Sequence, residues 1–321
     1  MHVRRLAWIL ALNGLLPLFA SQVRATDIDK YLPEDTELVL HANIRQALDS
    51  PLGKKYLLPP ITDALKGQGE AQEILNALGL DPLKDVQSLT VAAPGKDSEK
   101  KGIVVLQGNF DLAKIQVAVE AFNQKQANAI KVLKEGDVTV YELRDPKHSK
   151  PAFAAFADKN TLLVSPAKDQ VTGALTKKNA KKPSTLNKDL LALVTEGTGK
   201  ESIWLALVPN QLLDALPKDN KQAMDIAKKV KSFKCSMTLT DGVQLSMRVQ
   251  TPDAKAAGDV RQALVVVQSF LLLAVTSNDQ LKDFGPTLTD ILKSIKFKID
   301  KSIVGMDLSV SGKLIEEGLK K

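Results

Sequence analysis

Residues 233–249 constrain the fold more than any other stretch of the chain. Phe233, Cys235, Met237 and Leu239 alternate with Lys234, Ser236 and Thr238; beyond Asp241-Gly242, Val243, Leu245, Met247 and Val249 alternate with Gln244, Ser246 and Arg248. A period of two sends successive side chains to opposite faces of a strand, and Asp-Gly favours a tight turn, so the stretch predicts a β-hairpin with one apolar and one wet face. A second hairpin is predicted where Ile295, Phe297 and Ile299 alternate with Lys296 and Lys298. It turns near Asp300-Lys301-Ser302 and returns through Val304, Met306, Leu308 and Val310. Local antiparallel pairs with helices between them argue for an α+β fold and against a doubly wound parallel sheet.

The first half carries looser versions of the same parts. Ser88 to Ala93 and Gly102 to Phe110 read as strands, Asp111 caps a helix that aligns Leu112, Ile115, Val119 and Phe122, and Val138–Leu143, Pro151–Ala157 and Thr161–Ser165 read as further strands. Leu38–Asp49 aligns without a gap to Ile203–Asp214, sharing Leu40/Leu205, Gln46/Gln211, Leu48/Leu213 and Asp49/Asp214. The expected organisation is therefore two related lobes, residues 26–175 and 186–321. The polar stretch 176–185, with four lysines and a proline, is the expected basic linker between them.

Residues 1–25 stand apart. Arg4 and Arg5 precede an apolar run from Leu6 to Ala20, and Val23-Arg24-Ala25 supplies small residues at the two positions a signal peptidase reads. The run is too short, and too broken by Asn13 and Pro17, to span a bilayer. The expectation is a signal peptide cleaved after Ala25 and a periplasmic or extracellular mature chain with no transmembrane segment. Removing Arg4, Arg5 and Arg24 takes the formal charge from +7 to +4, and the basic residues are 37 Lys against 7 Arg. With aromatics at 4%, this composition speaks against nucleic-acid recognition, which favours the Arg fork and stacking platforms.

Four phrases resemble signal-peptide-bearing planctomycete proteins of unknown function. They are the opening Asp29-Lys-Tyr-Leu-Pro-Glu-Asp-Thr-Glu-Leu-Val39, then Ala77-Leu-Gly-Leu-Asp-Pro-Leu-Lys-Asp85, Phe156-Ala-Asp-Lys-Asn-Thr-Leu162 and the ending Ser311-Gly-Lys-Leu-Ile-Glu-Glu317. The resemblance implies an exported protein and brings no catalytic residues with it.

The chemistry-bearing residues are sparse. Cys235 is the single cysteine, which excludes an internal disulfide, and His2, His41 and His148 are the only histidines. Ser165-Pro-Ala-Lys168 has the Ser-x-x-Lys spacing of penicillin-recognising enzymes, but the companion Lys-Thr-Gly and Ser-Asp-Asn motifs are missing. Around Lys200 the phosphate-loop pattern fails, with Val194 at the first glycine position and Glu201 after the lysine. No catalytic, cofactor or metal site is therefore assigned, and a hydrolase remains an alternative only if carboxylates converge in the fold.

One stretch is out of the ordinary. Asp253 to Thr276 reads as a long helix in which Leu264 to Val275 is apolar on almost every side. The plain expectation is a central helix clamped between the sheets of the two lobes. The functional alternative is a cleft for an apolar ligand, or a face for self-association or a membrane surface, carried by Leu264, Val267, Phe270, Leu271 and Ala274. Together these features point to a non-enzymatic binding or structural protein of the cell envelope, its partner a protein or an apolar small molecule.

Overall fold

The computed structural model describes residues 28–67, 80–95, 98–125, 130–136, 138–144, 151–180, 184–197, 199–209, 213, 216–217, 219–277 and 285–319. The expected signal peptide, its cleavage position, His2 and His148 lie outside the described residues, as does most of the second copy of the repeat beyond Val208.

The fold is α+β. In chain order the strands are β1 (Thr36–Ala42), β2 (Val86–Pro94), β3 (Ile103–Gly108), β4 (Ile130–Glu135), β5 (Val138–Leu143), β6 (Ala152–Asp158), β7 (Thr161–Ser165), β8 (Ile203–Leu207), β9 (Ser232–Leu239), β10 (Val243–Gln250), β11 (Phe297–Asp300) and β12 (Ile303–Val310). They form one antiparallel sheet in the order β11-β12-β10-β9-β8-β1-β2-β3-β7-β6-β5-β4. Both hairpins predicted in the second half are present, with Leu239 opposite Val243 and Asp300 opposite Ile303. The Asp-Gly turn is a three-residue connection in which Gly242 is required for space: a Cβ there would stand 2.5 Å from the carbonyl oxygen of Val310.

The halves repeat one another in strand order. From the centre outwards the first runs β1-β2-β3-β7-β6 and the second β8-β9-β10-β12-β11, and β4 and β5 are an extra hairpin at the outer edge of the first. The expected separation into two lobes does not extend to the sheet, because β1 and β8 pair directly, with His41 opposite Trp204 and Leu40 opposite Leu205. Strand β4 was not expected, since Lys131 and Lys134 interrupt its apolar pattern. It is an edge strand, as is β11 with Lys298, and lysine on an edge discourages pairing with other chains.

Helices lie on both faces. They are α1 (Ile44–Asp49), α2 (Leu58–Gly67, entered through a π turn at Gly53–Leu57), α3 (Pro82–Asp85), α4 (Ser98–Lys101), α5 (Leu112–Lys125), α6 (Lys168–Ala180), α7 (Lys188–Thr195), α8 (Lys221–Ala227), α9 (Ala254–Ser277), α10 (Gly285–Ser294) and α11 (Gly312–Leu319). Side-chain caps set several starts: Asp111 accepts from Lys114 N, Asn187 from Asp189 N, and Asp253 from Ala256 N at 2.8 Å. The expected linker begins later than its composition indicated, because α6 continues through Ala180. Lys177 Nζ donates to the Leu32 carbonyl at 3.2 Å, and Lys178 Nζ pairs with Asp158 at 2.8 Å, so these lysines lay their stems along the fold and tie the helix down.

The core is unevenly distributed. The main cluster joins Ile28, Tyr31 and Leu32 to Val39, Val105, Leu163, Val171, Leu190, Val194 and Trp204, filling one face under α6 and α7, and a second cluster packs Ile115 and Val119 of α5 on the opposite face. The second half is thinner, with only Val230, Val249, Ala257, Val260 and Val304 as the buried members of its cluster.

That thinness overturns the expectation of a clamped central helix. All strands described belong to one sheet, so among the described residues no second sheet closes over α9. Ala256, Ala257 and Val260 are buried at its start, whereas Phe270 is 67% and Leu273 63% exposed. The helix has the expected length of 24 residues; an 18-residue stretch of it has a mean hydropathy of 1.6, enough by length and composition to cross a membrane, and only 6% of that stretch is buried.

Trp204 is 2% exposed at the junction of the halves. Trp204→Ala is expected to cost about 3–5 kcal/mol of unfolding free energy through the cavity it leaves. Urea denaturation followed by circular dichroism checks this, and a loss in the variant below about 1 kcal/mol would show that the junction is not a packed core.

Candidate functional site

The sheet of the second half presents two unlike faces, and each carries a concavity. On the apolar face, α8 and α9 stand apart and leave a cleft of about 660 Å³. Its floor is Phe233 of β9 and Val249 of β10; its walls are Ala223, Ile226 and Ala227 of α8 and Val260, Ala263, Leu264, Val267 and Phe270 of α9. The alternation that built the hairpin places Phe233 and Val249 directly opposite one another on this face. The polar groups sit at the rim: Asn220, Gln222, and an ion pair between Lys229 Nζ and Asp259 Oδ2 at 2.7 Å that ties α8 to α9. The Lys229 ammonium beside it holds the Asp259 carboxyl below the usual carboxylate range.

Of the apolar residues singled out in the sequence, Leu264, Val267 and Phe270 line this cleft, whereas Leu271 and Ala274 are exposed beyond it. Ile226, Phe233 and Val249 were missed as site residues, because their apolar spacing in α8, β9 and β10 looks the same whether it builds a core or a cleft wall.

The wet face carries a concavity of about 920 Å³ with Lys234, Ser236, Thr238, Gln244, Ser246, Arg248 and Asp307 among its lining residues. Glu196, Glu201 and Asp307 are its lining carboxylates. Asp307 accepts from Ser246 at 2.8 Å and lies 3.9 Å from Arg248. Lys234, 7% exposed, donates to the Leu193 carbonyl at 2.9 Å with its ammonium 5.3 Å from the Trp204 ring centroid, and burial pushes its pKa down.

The remaining candidates are occupied structurally. Ser165 Oγ donates to the Gly102 carbonyl at 2.8 Å and caps Ala167 N, while Lys168 Nζ is paired with Glu135 at 2.6 Å, so the Ser-x-x-Lys spacing builds a helix start. Cys235 is half-buried and its thiol is pushed up by burial, which keeps it protonated. Among the described residues no group of three or more His, Cys, Asp or Glu is placed to hold a metal ion.

His41 is held by packing. Its ring stacks on Trp204 with centroids 5.2 Å apart, its Nδ1 shares a 2.9 Å hydrogen bond with Thr90 Oγ1, and burial lowers its pKa to about 4, with Glu201 opposing and Lys234 adding to the shift.

No protein-family model matches the chain, and no curated protein matches it in sequence. Among solved structures it is similar to crystal forms III, IV and I of TP0453, each at 10% identity with a TM-score of 0.48, over 90–91% of this chain and 96% of that one. At that identity and score the likeness assigns no function.

The neutral His41 makes stability pH-dependent with a definite sign. The unfolded imidazole binds a proton below about pH 6.5 and the folded one only below about 4, so stability is complete above 6.5 and falls as pH drops between the two values. At pH 5 the loss attributable to this group is about 2 kcal/mol. Denaturant titrations at pH 7 and pH 5 on wild type and His41→Phe are expected to show that share of the loss absent from the variant.

Proposed function

We propose that this chain is an exported, non-enzymatic protein that binds an apolar or amphiphilic small molecule in the cleft between α8 and α9. The observation that carries the reading is the cleft itself: about 660 Å³, lined by aliphatic and aromatic side chains and open beside Phe270. That volume lies within the range of small-molecule sites, and apolar walls with a few polar groups at one end suit a hydrocarbon tail bearing a polar head. Asn220, Gln222 and the Lys229–Asp259 pair at the rim would meet the head group. The positive start, apolar run and Val23-Arg24-Ala25 of the first 25 residues support the envelope address.

One feature favours binding over hydrolysis. The carboxylate that lines the apolar cleft, Asp259, is committed to Lys229. A ligand there would be held by burial of its own apolar surface, at roughly 25 cal/mol per Å² removed from water.

Native mass spectrometry of the protein taken from its own cells tests the reading. A bound mass that disappears on denaturation is expected, and the double variant Ala223→Phe, Ala263→Phe should retain at least about tenfold less of it, since both residues line the cleft and larger side chains there take up its volume. A wild-type protein that carries no adduct and binds no fluorescent fatty-acid probe would sink the proposal.

A further inference from the structure

We propose that the outer half of α9 enters the hydrocarbon of one leaflet of an anionic lipid bilayer and so docks the protein on a membrane surface. The inference rests on how that helix is exposed and does not require the cleft to be occupied.

The first observation is that the exposure is not a stripe. At about 100° of turn per residue, Val265, Val266, Val267, Phe270, Leu271 and Leu273 point in directions spread over most of the helix circumference, and all of them are between 39% and 67% exposed. α10 covers the remaining side, where Gln268 Nε2 donates to the carbonyls of Leu292 and Ile295. A second copy of the chain would cover one stripe of such a helix and leave the rest in water, whereas a lipid phase covers every direction at once.

The second observation concerns the polar atoms. No charged residue occurs from Gln262 to Ser277. From Gln268 onwards each polar side chain is turned onto a carbonyl oxygen: Gln268 as above, Ser269 to Val265 at 2.9 Å, Thr276 to Leu272 at 3.0 Å and Ser277 to Leu273. Hydrogen-bonding groups satisfied within the protein are what a hydrocarbon environment demands and what water does not.

Length and anchoring decide between entering and crossing. The start of α9 is fixed to the sheet by the burial of Ala256, Ala257 and Val260, by the Lys229–Asp259 pair and by Arg261 Nε donating to the Phe297 carbonyl at 3.1 Å. The part beyond the sheet, Val265 to Ser277, with α10 along one side, is 13 residues, about 20 Å of helix against roughly 30 Å of hydrocarbon. It therefore reaches into one leaflet. The backbone tied to α9 at Gln268 and Arg261 carries the exposed Lys293, Lys296 and Lys298 toward the base of the charge-free run, with the exposed acid Asp300 beside them and the exposed Asp290 further out along α10. A net positive collar at that level suits anionic head groups.

The experiment places an environment-sensitive fluorophore at Leu273→Cys in the full chain carrying Cys235→Ser, with Val117→Cys on α5, itself 66% exposed, as the control site. On addition of phosphatidylcholine–phosphatidylglycerol vesicles containing nitroxide lipid, the label at 273 is expected to shift to the blue and be quenched, and the label at 117 to do neither. Phe270→Asp with Leu273→Asp should lower the vesicle-bound fraction at least about tenfold. Replacing Lys293, Lys296 and Lys298 by Gln should remove the preference over pure phosphatidylcholine while leaving the blue shift of bound protein. A label at 273 that ignores vesicles overturns the proposal, and so does a blue shift that grows with protein concentration in the absence of lipid, which would assign the helix to a second copy. Ala223→Phe, which narrows the cleft and replaces no residue of α9, should dock as wild type does, so a failed cleft and a failed membrane contact give different results.

Discussion

The hydrogen-bonded pairing of β1 with β8 is the constraint on which the rest depends. The two strands are more than 160 residues apart in the chain, yet Leu38 to Ala42 lie opposite Leu207 to Ile203, each half contributing its first strand to the seam. Register there is enforced from the face that packs under α7. Trp204 is buried under α7 on one side of the pair, stacked on His41 and covered by the ammonium of Lys234. A slip of one residue would turn Trp204, Val39 and Ala206 to the opposite face, away from that packing. With the seam fixed, each half winds outwards from it in the same strand order.

Symmetry of connection does not bring symmetry of cover. In the first half the sheet is closed by α6 on one face and α5 on the other, and its strands supply most of the buried residues. In the second half the face continuous with α6 is polar and open, and the face equivalent to that under α5 is only partly closed by α8 and α9. The helix that would complete the closure instead leaves the sheet after Val260. One departure therefore accounts for both features that invite function, the apolar cleft beneath α9 and the exposed apolar length beyond it. A protein under selection for stability alone would bury such surface, since each large side chain is worth about 1.5–3 kcal/mol on burial.

Much of the architecture was legible in the residues. The 233–249 alternation, the Asp300-Lys301-Ser302 turn and the Asp111 and Asp253 caps are local signals, decided within a few residues of backbone, and they appear where the sequence put them. Strand β4 was hidden because an edge strand needs only one good face and its lysines mask the period. The end of α6 was misjudged because Lys177 and Lys178 look like solvated linker residues until Leu32 O, Ala157 O and Asp158 are brought beside them. The cleft was half legible: α9 announced Leu264, Val267 and Phe270, but α8 and the strand floor had no signal that distinguished a wall from a core.

What the sequence determined by itself is the kind and order of most elements, the repeat between the halves and the scarcity of histidine and cysteine. Periodicity, caps and composition act over one or two turns of chain, so they can be read without knowing the partners. Only the tertiary structure decided that the halves share one sheet and that, among the described residues, α9 has no second sheet above it. An apolar helix looks alike whether it is buried, lines a cleft or faces lipid, because the residue pattern records only its preference for an apolar surrounding. What surrounds it is fixed by contacts between residues far apart in the chain, above all the pairing of β1 with β8.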